Sequence, residues 1–214
     1  MRELVKGLLA KPVTLFNKII IGLYLHIVRK KADGIKELEF WENKILILSP
    51  HQDDEILGCG CFIKQSIEKG NKVKCIFMTD GSKSRDDIDP KILTEMRKAE
   101  AIEVAEKLGM ELPSFIARED GNLYSSDLKA AQEIARLVEE FNPDVIMVPY
   151  FLDGHKDHSA VSGILLKSIE ITNNEAELFA YEINSPITVY GITHYVDCTD
   201  LLDFKKETLK IYAS

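Results

Sequence analysis

Two short polar segments concentrate histidine and carboxylate side chains of the kinds that bind metal ions. The first, residues 49–55, reads SPHQDDE and places one imidazole and three carboxylates within five residues. The second, residues 153–158, reads DGHKDH and adds two more histidines. Carboxylates this close repel one another unless a cation offsets their charge. Nitrogen and oxygen donors without a thiolate suit zinc, although iron(II), manganese or cobalt could occupy the same site.

A single histidine would be better explained as a capping or hydrogen-bonding residue than as a metal ligand. The whole set is harder to explain in that way, because two acidic clusters would then lack a counterion and Lys156 can neutralise only one charge. Catalytic zinc sites use three protein ligands and keep one position for water. The residue types therefore favour a catalytic metal site.

Both segments follow apolar runs that are typical of strands buried on both faces. Residues 45–48 (ILIL) precede the first segment, and residues 144–149 (DVIMVP) precede the second. A third run, residues 73–78, ends at the polar tripeptide of residues 79–81. Ligands of parallel α/β sheets bind outside the carboxyl ends of the strands. We therefore expect the two segments to meet at one edge of a sheet.

Helical patterns alternate with these strands. They cover residues 56–69, 91–108 and 158–171, and a further helix is capped by Ser125 or Ser126 and runs to about residue 141. Alternation of strands and helices predicts an α/β fold, here a three-layer, Rossmann-like arrangement with a mostly parallel sheet.

Composition places the chain among globular proteins with a single core. It has 214 residues, of which 45% are hydrophobic and 29% charged, which excludes a collagen-like, disordered or multi-span membrane chain. The net charge of −8 argues against nucleic acid as a partner. The four cysteines include no C-x-x-C pair, so we expect reduced cysteines and a cytoplasmic location.

The N-terminal segment differs in charge from the rest of the chain. Residues 1–31 contain seven Lys or Arg and one acid, a net charge of +6, which leaves −14 for the remainder. The apolar run of residues 19–28 is shorter than the roughly 20 residues that span a bilayer. Basic residues follow it where a signal peptide would have its cleavage site. Two interpretations stay open: peripheral contact with an anionic membrane, or an apolar stripe packed on the domain or on a second subunit of a homo-oligomer.

The two polar segments together resemble the motifs of the LmbE-like, or PIG-L, de-N-acetylase family. Members of this family carry a PHPDDE-type motif and a later H-x-D-H motif. The resemblance runs from about Lys44 to the end of the chain and includes an R-x-x-E-A pattern that begins at Arg97. Gln52 and Lys156 depart from the pattern, because the family often has proline there. Neither position supplies a ligand, so the departures concern the shape of the loops.

The resemblance implies a role for each residue that matches a family motif. It implies that zinc is bound by His51, Asp54 and His158. Asp53 would be the general base that takes a proton from the metal-bound water. His155 would stabilise the oxyanion or protonate the leaving amine.

Further implications concern the substrate and the extent of the domain. Arg97 and Asp120 would contact the substrate, an N-acetylated sugar conjugate. The deacetylase domain would cover residues 44–214, with residues 1–43 as a basic, apolar extension. The family's last helix tends to continue past a position equivalent to residues 212–214, which leaves a truncated chain or a further domain open.

The function implied by the resemblance is zinc-dependent hydrolysis of an N-acetyl group. The enzyme would act on an N-acetylglucosaminyl-type conjugate and release acetate and a free amine. Two alternatives are a metal-dependent amidohydrolase that acts on another thiol or amide conjugate and a membrane-surface protein with a vestigial site. The filled ligand, acid and base positions argue against the vestigial site. A further hypothesis is that residues 1–31 bring the enzyme to a membrane that carries a lipid-linked or envelope sugar.

Overall fold

The computed structural model describes part of the chain, namely residues 18–20, 22–23, 34–185, 187–188 and 190–214. Most of the basic segment of residues 1–31 lies outside the described residues, so its predicted membrane or subunit contact stays a prediction. The chain divides into two units, residues 1–38 with 187–195 and residues 39–186 with 196–214. In the first unit, strand β1 (Lys36–Glu37) pairs in parallel with strand β7 (His194–Tyr195).

The second unit contains a five-stranded sheet in which every strand pair is parallel. In chain order its strands are β2 (Lys44–Ser49), β3 (Lys72–Thr79), β4 (Ser114–Arg118), β5 (Val145–Pro149) and β6 (Glu177–Tyr181). Across the sheet the order is β4-β3-β2-β5-β6. Strands β2 and β5 are buried along nearly their whole length, as their continuous apolar sequences predict.

Helices cover both faces of this sheet. They are α1 (Asp54–Glu68), α2 (Pro90–Leu108), α3 (Leu128–Phe141), α4 (Lys156–Ile171) and α5 (Leu202–Leu209). Leu46 and Leu48 point into a core cluster that α3 and α4 complete, for example with Ile134 and Ile164. Helix α1 packs against β2 and β3. The predicted three-layer α/β architecture is thereby confirmed. No helix among the residues described is long and apolar enough to cross a membrane.

The ends of the helices follow local rules of capping. Asp89 begins α2 by accepting hydrogen bonds from the amides of Lys91 and Ile92, and Gly109 ends it with a left-handed φ of 77°. The predicted cap of α3 at Ser125 or Ser126 is wrong. Asp127 is the cap, because it is the residue directly before the helix and its Oδ1 accepts from the amide of Ala130 at 2.9 Å.

The topology brings the two polar segments together. The chain passes from β2 to β3 and β4 on one side of the sheet, and then returns to the other side of β2 to form β5 and β6. The connections that follow β2 and β5 therefore leave the sheet in opposite directions. Such a switch point opens a crevice at the carboxyl ends of the two strands, where α/β proteins bind ligands.

Candidate active site

The three predicted metal ligands meet at this switch point. His51 follows β2, Asp54 is the first residue of α1, and His158 lies in the first turn of α4. The Oδ2 atom of Asp54 lies 2.9 Å from His51 Nδ1 and 3.2 Å from His158 Nε2. Asp54 and His158 are buried, whereas His51 is partly exposed. One carboxylate oxygen is thus shared between two imidazole nitrogens.

Two further carboxylates lie on the opposite side of the His51 ring. His51 Nε2 is 3.2 Å from Asp120 Oδ1 and 3.3 Å from Asp157 Oδ2. Asp157 is fixed in turn by the amides of Gly121 and Leu123, which donate to its carboxylate. Burial alone would lower the pKa of His51, but hydrogen bonds to the surrounding carboxylates, Asp120 first, raise it to about 11.

His155 completes the group of imidazoles. It precedes α4, and its Nδ1 accepts a hydrogen bond from the amide of Asp157 at 3.3 Å. Its ring centroid lies 4.9 Å from that of His51 and 4.6 Å from that of His158. Burial, together with the positive charge of the other two histidines, lowers the pKa of His155.

The residues present fit a bound metal ion. Two groups in the described part of the chain bring their donor atoms close enough to hold one: His51 with His155 and His158, and His51 with Asp120 and Asp157. The predicted set of His51, Asp54 and His158 has the ligand chemistry of zinc. Metal-binding histidines typically donate their second ring nitrogen to a carboxylate. His51 has this arrangement, because its Nε2 faces the carboxylates of Asp120 and Asp157. Near His158, Asp153 Oδ1 lies 3.4 Å from Nδ1.

Asp53 lies beside the proposed ligands with its carboxylate partly exposed. Its backbone has φ 130° and ψ −29°, a conformation that a residue with a Cβ rarely adopts. Burial raises the pKa of the Asp53 carboxyl, as does the neighbouring Asp54, and the value is about 6 although Arg97 opposes the shift. A carboxylate with this pKa is ionised at neutral pH and still basic enough to accept a proton.

Arg97 is buried beneath the first polar segment. Its Nη2 lies 3.3 Å from Asp53 Oδ2 and donates to the carbonyl oxygen of Gln52. The Gln52 side chain is also buried, and its Nε2 donates to the carbonyl of Thr79 at 3.0 Å. The family often has proline at this position. The glutamine found here instead connects the first polar segment to the end of β3 by a hydrogen bond. The predicted substrate contact of Arg97 stays a prediction, as does that of Asp120.

Glu55 is hydrogen-bonded to the backbone and to a tyrosine, unlike the metal-site residues beside it in the sequence. It lies in the same motif as the metal-site residues, but its buried carboxylate accepts hydrogen bonds from the Asp53 amide, at 3.1 Å, and from the hydroxyl of Tyr212. Tyr212 lies 157 residues after Glu55 in the sequence. Sequence reasoning missed Tyr212, because no spacing or motif connects it to the first segment.

A parallel α/β sheet with histidines and carboxylates gathered at its switch point defines an enzyme domain with a candidate metal centre. Residues 46–169, more than half of the chain, match the family model described as PIG-L: GlcNAc-PI de-N-acetylase. The chain belongs to this family, and the predicted resemblance is confirmed. The comparisons therefore indicate a deacetylase, which is a hydrolase.

Two of the individual proteins that the chain resembles are deacetylases, and a third catalyses a different reaction. The chain is 25% identical over 187 residues to diacetylchitobiose deacetylase of Thermococcus kodakarensis, covering 80% of this chain and 69% of that protein. A solved structure of N,N'-diacetylchitobiose deacetylase from Pyrococcus horikoshii superposes with a TM-score of 0.70 at 21% identity, over 80% of this chain and 70% of that one. GalB, a 4-carboxy-2-hydroxymuconate hydratase from Pseudomonas putida, has a TM-score of 0.67 at 17% identity, over 80% and 79% of the two chains. The same fold thus carries different reactions, and the fold alone does not fix the chemistry.

Proposed function

We propose that the protein is a metal-dependent deacetylase that hydrolyses the N-acetyl group of an N-acetylglucosaminyl-type conjugate. The products are acetate and a free amine. The observation that carries the proposal is the Asp54 carboxylate shared between His51 and His158, directly beside the partly exposed carboxylate of Asp53. Membership of the de-N-acetylase family and the deacetylase named among the relatives support the same reaction.

His51, Asp54 and His158 would hold the ion, and zinc is the metal that we propose. Their two nitrogens and one oxygen leave room for a fourth position, as catalytic zinc sites require. When bound, the ion would supply Lewis-acid activation of water and of the amide carbonyl. Iron(II), manganese and cobalt accept the same donor types and are tested beside zinc.

Asp53 is the general base in this proposal. Its carboxylate contacts Arg97, and a third of the side chain is exposed, so it can reach an attacking water molecule. Its pKa of about 6 leaves it ionised at neutral pH. A positioned base of this kind contributes about 10²- to 10⁴-fold to the rate.

His155 serves as the hydrogen-bond donor to the developing oxyanion or to the leaving amine. Because Nδ1 accepts from the Asp157 amide, the neutral ring carries its proton on Nε2. That proton is available to a substrate atom. A donor aimed at the charge that develops in the transition state is worth about 10²- to 10³-fold in rate.

Asp120 and Arg97 are the proposed contacts to the substrate. Asp120 is buried beside His51 Nε2, and 12% of its side chain is exposed, so its carboxylate could accept a hydrogen bond from a sugar hydroxyl. Arg97 is more deeply buried and touches Asp53, so its contacts support an effect on the base as well as on the substrate.

The decisive experiment combines metal analysis with measurement of acetate release. The purified protein is loaded with each of the four metals and offered N-acetylglucosamine, N,N'-diacetylchitobiose, an N-acetylglucosaminyl glycoside and a simple N-alkylacetamide. We expect stoichiometric zinc and acetate release from at least one of the sugar substrates. Protein that binds no metal and releases no acetate from any of them would refute the proposal.

A second candidate function is hydrolysis of another amide or thiol conjugate at the same metal site. We keep this candidate because a hydratase has the same fold, which shows that proteins of similar shape catalyse different reactions. Activity on the simple amide without activity on any sugar substrate would select this alternative.

A further inference from the structure

Asp53, the proposed general base, has a backbone conformation that needs support from its surroundings. A φ of 130° brings the Cβ of an L-residue into conflict with its own backbone, and such conformations persist only where neighbouring groups hold them. The position of the Asp53 carboxylate depends on this conformation. The groups that hold the backbone of Asp53 therefore also set the position of the base.

Two side chains among the described residues contact Asp53, one on each side of it, and the amides of Ile56 and Leu57 donate to its carbonyl. Arg97 binds the carboxylate and the preceding carbonyl of Gln52. Glu55 accepts the hydrogen bond from the Asp53 amide through its Oε2 atom. Glu55 belongs to the first turn of α1, and the residue is 1% exposed. A buried carboxylate keeps a fixed orientation only if its second oxygen is also satisfied.

The second oxygen of Glu55 is satisfied by the C-terminal segment. The hydroxyl of Tyr212 donates to Glu55 Oε1, while Oε2 serves the Asp53 amide. The segment is anchored independently of this contact, because Glu100 accepts from the amides of Ala213 and Ser214 and from the Ser214 hydroxyl. The Tyr212 hydroxyl can thus be removed without releasing the segment that carries it.

We propose that Tyr212 is a positioning residue for the base: its hydroxyl holds the Glu55 carboxylate, which holds the backbone of Asp53. Among the residues that the structure describes, the Tyr212 hydroxyl is hydrogen-bonded to Glu55 and not to Asp53 or the proposed metal ligands, so it acts through Glu55. The effect on catalysis rests on the proposed function, whereas the effect on the Asp53 backbone does not.

The test compares Tyr212→Phe with Ser214→Ala in the zinc-loaded protein. Tyr212→Phe removes the hydroxyl that bonds Glu55 but keeps the ring, and Ser214→Ala removes a hydroxyl of the same segment that bonds Glu100. We expect Tyr212→Phe to lower kcat for acetate release about tenfold, with KM and zinc content within about twofold of the wild type. Ser214→Ala should match the wild type in kcat. Equal kcat in Tyr212→Phe and wild type, or an equal loss in both variants, would overturn the proposal.

Hydrogen exchange of the Asp53 amide provides a readout that does not depend on activity. We expect this amide to exchange about tenfold faster in Tyr212→Phe than in the wild type, and at the wild-type rate in Ser214→Ala. Unchanged exchange in Tyr212→Phe would overturn the proposal even if the protein proves to be a deacetylase. If the wild type releases no acetate, the proposed function fails, and faster exchange would still support the positioning of Asp53 by Tyr212.

Discussion

Arg97 Nη2 lies 3.3 Å from Asp53 Oδ2 and also donates a hydrogen bond to the carbonyl of Gln52, the residue before Asp53. One buried guanidinium thus contacts both the side chain of the proposed base and the peptide that precedes it. A non-glycine residue at positive φ costs about 1–3 kcal/mol and persists only where its surroundings impose that conformation. Arg97 is one of the groups that impose it on Asp53.

We predict that Arg97→Met lowers kcat for acetate release by about 10- to 100-fold, because Asp53 loses a charged hydrogen-bond partner. Lys98→Met is the matched control. Lys98 is the next residue on α2, and it lies near the exposed Glu95. Steady-state kinetics of the two variants decide the prediction. Similar kcat values for both variants would show that Arg97 does not act on the base.

The assignment of the metal ligands makes a separate prediction. The described residues include two groups that could hold an ion without Asp54, one of them formed by the three histidines. Loss of a residue that only orients a metal ligand weakens metal binding about 10- to 100-fold. If Asp54 is a ligand and His155 is not, Asp54→Ala should weaken zinc binding by more than this. His155→Ala should bind zinc nearly as well as the wild type. Zinc affinities from competition with a chelator test this, and the reverse order would place the ion among the histidines.

The fold and the grouping of the site residues could be predicted because both follow from local patterns. Apolar runs identify the strands β2 and β5, and the polar segments that follow them must meet at the carboxyl ends of a parallel sheet. The same reasoning could not find Tyr212, whose contact with Glu55 depends on how the C-terminal segment packs on α1. Nor could it show that Arg97 is buried against Asp53, because an arginine on a helix is usually solvent-exposed.

Errors at the level of single residues arose where several residues compete for one role. Ser125, Ser126 and Asp127 are all good helix caps, and only the backbone conformation selects Asp127. The positive φ of Asp53 likewise has no signature in the sequence, since it results from the contacts around the residue.

Asp127 allows a prediction about stability away from the active site. Burial would raise the pKa of Asp127, but the Ala130 amide and Arg118 outweigh this and lower the value. A lowered pKa in the folded state stabilises the protein above the unfolded-state pKa of about 3.9, and this contribution is lost as pH falls through the folded-state value. We predict that Asp127→Ala costs about 1 kcal/mol at pH 7 and less near pH 3.

Urea unfolding at the two pH values measures this difference. Asp203→Ala is the control, because the Asp203 side chain is 95% exposed. It should change the free energy of unfolding by less than about 0.5 kcal/mol at either pH. A cost of Asp127→Ala that is the same at both pH values would contradict the proposed charge effect.

The most direct test of the central claim measures zinc content and acetate release together in Asp53→Asn and His51→Ala. Asp53→Asn should keep stoichiometric zinc while losing about 100-fold or more in kcat, because it removes the base without removing a ligand. His51→Ala should lose both zinc and activity, because it removes one of three ligands. Zinc binding by His51→Ala at wild-type affinity, or wild-type acetate release by Asp53→Asn, would contradict the account.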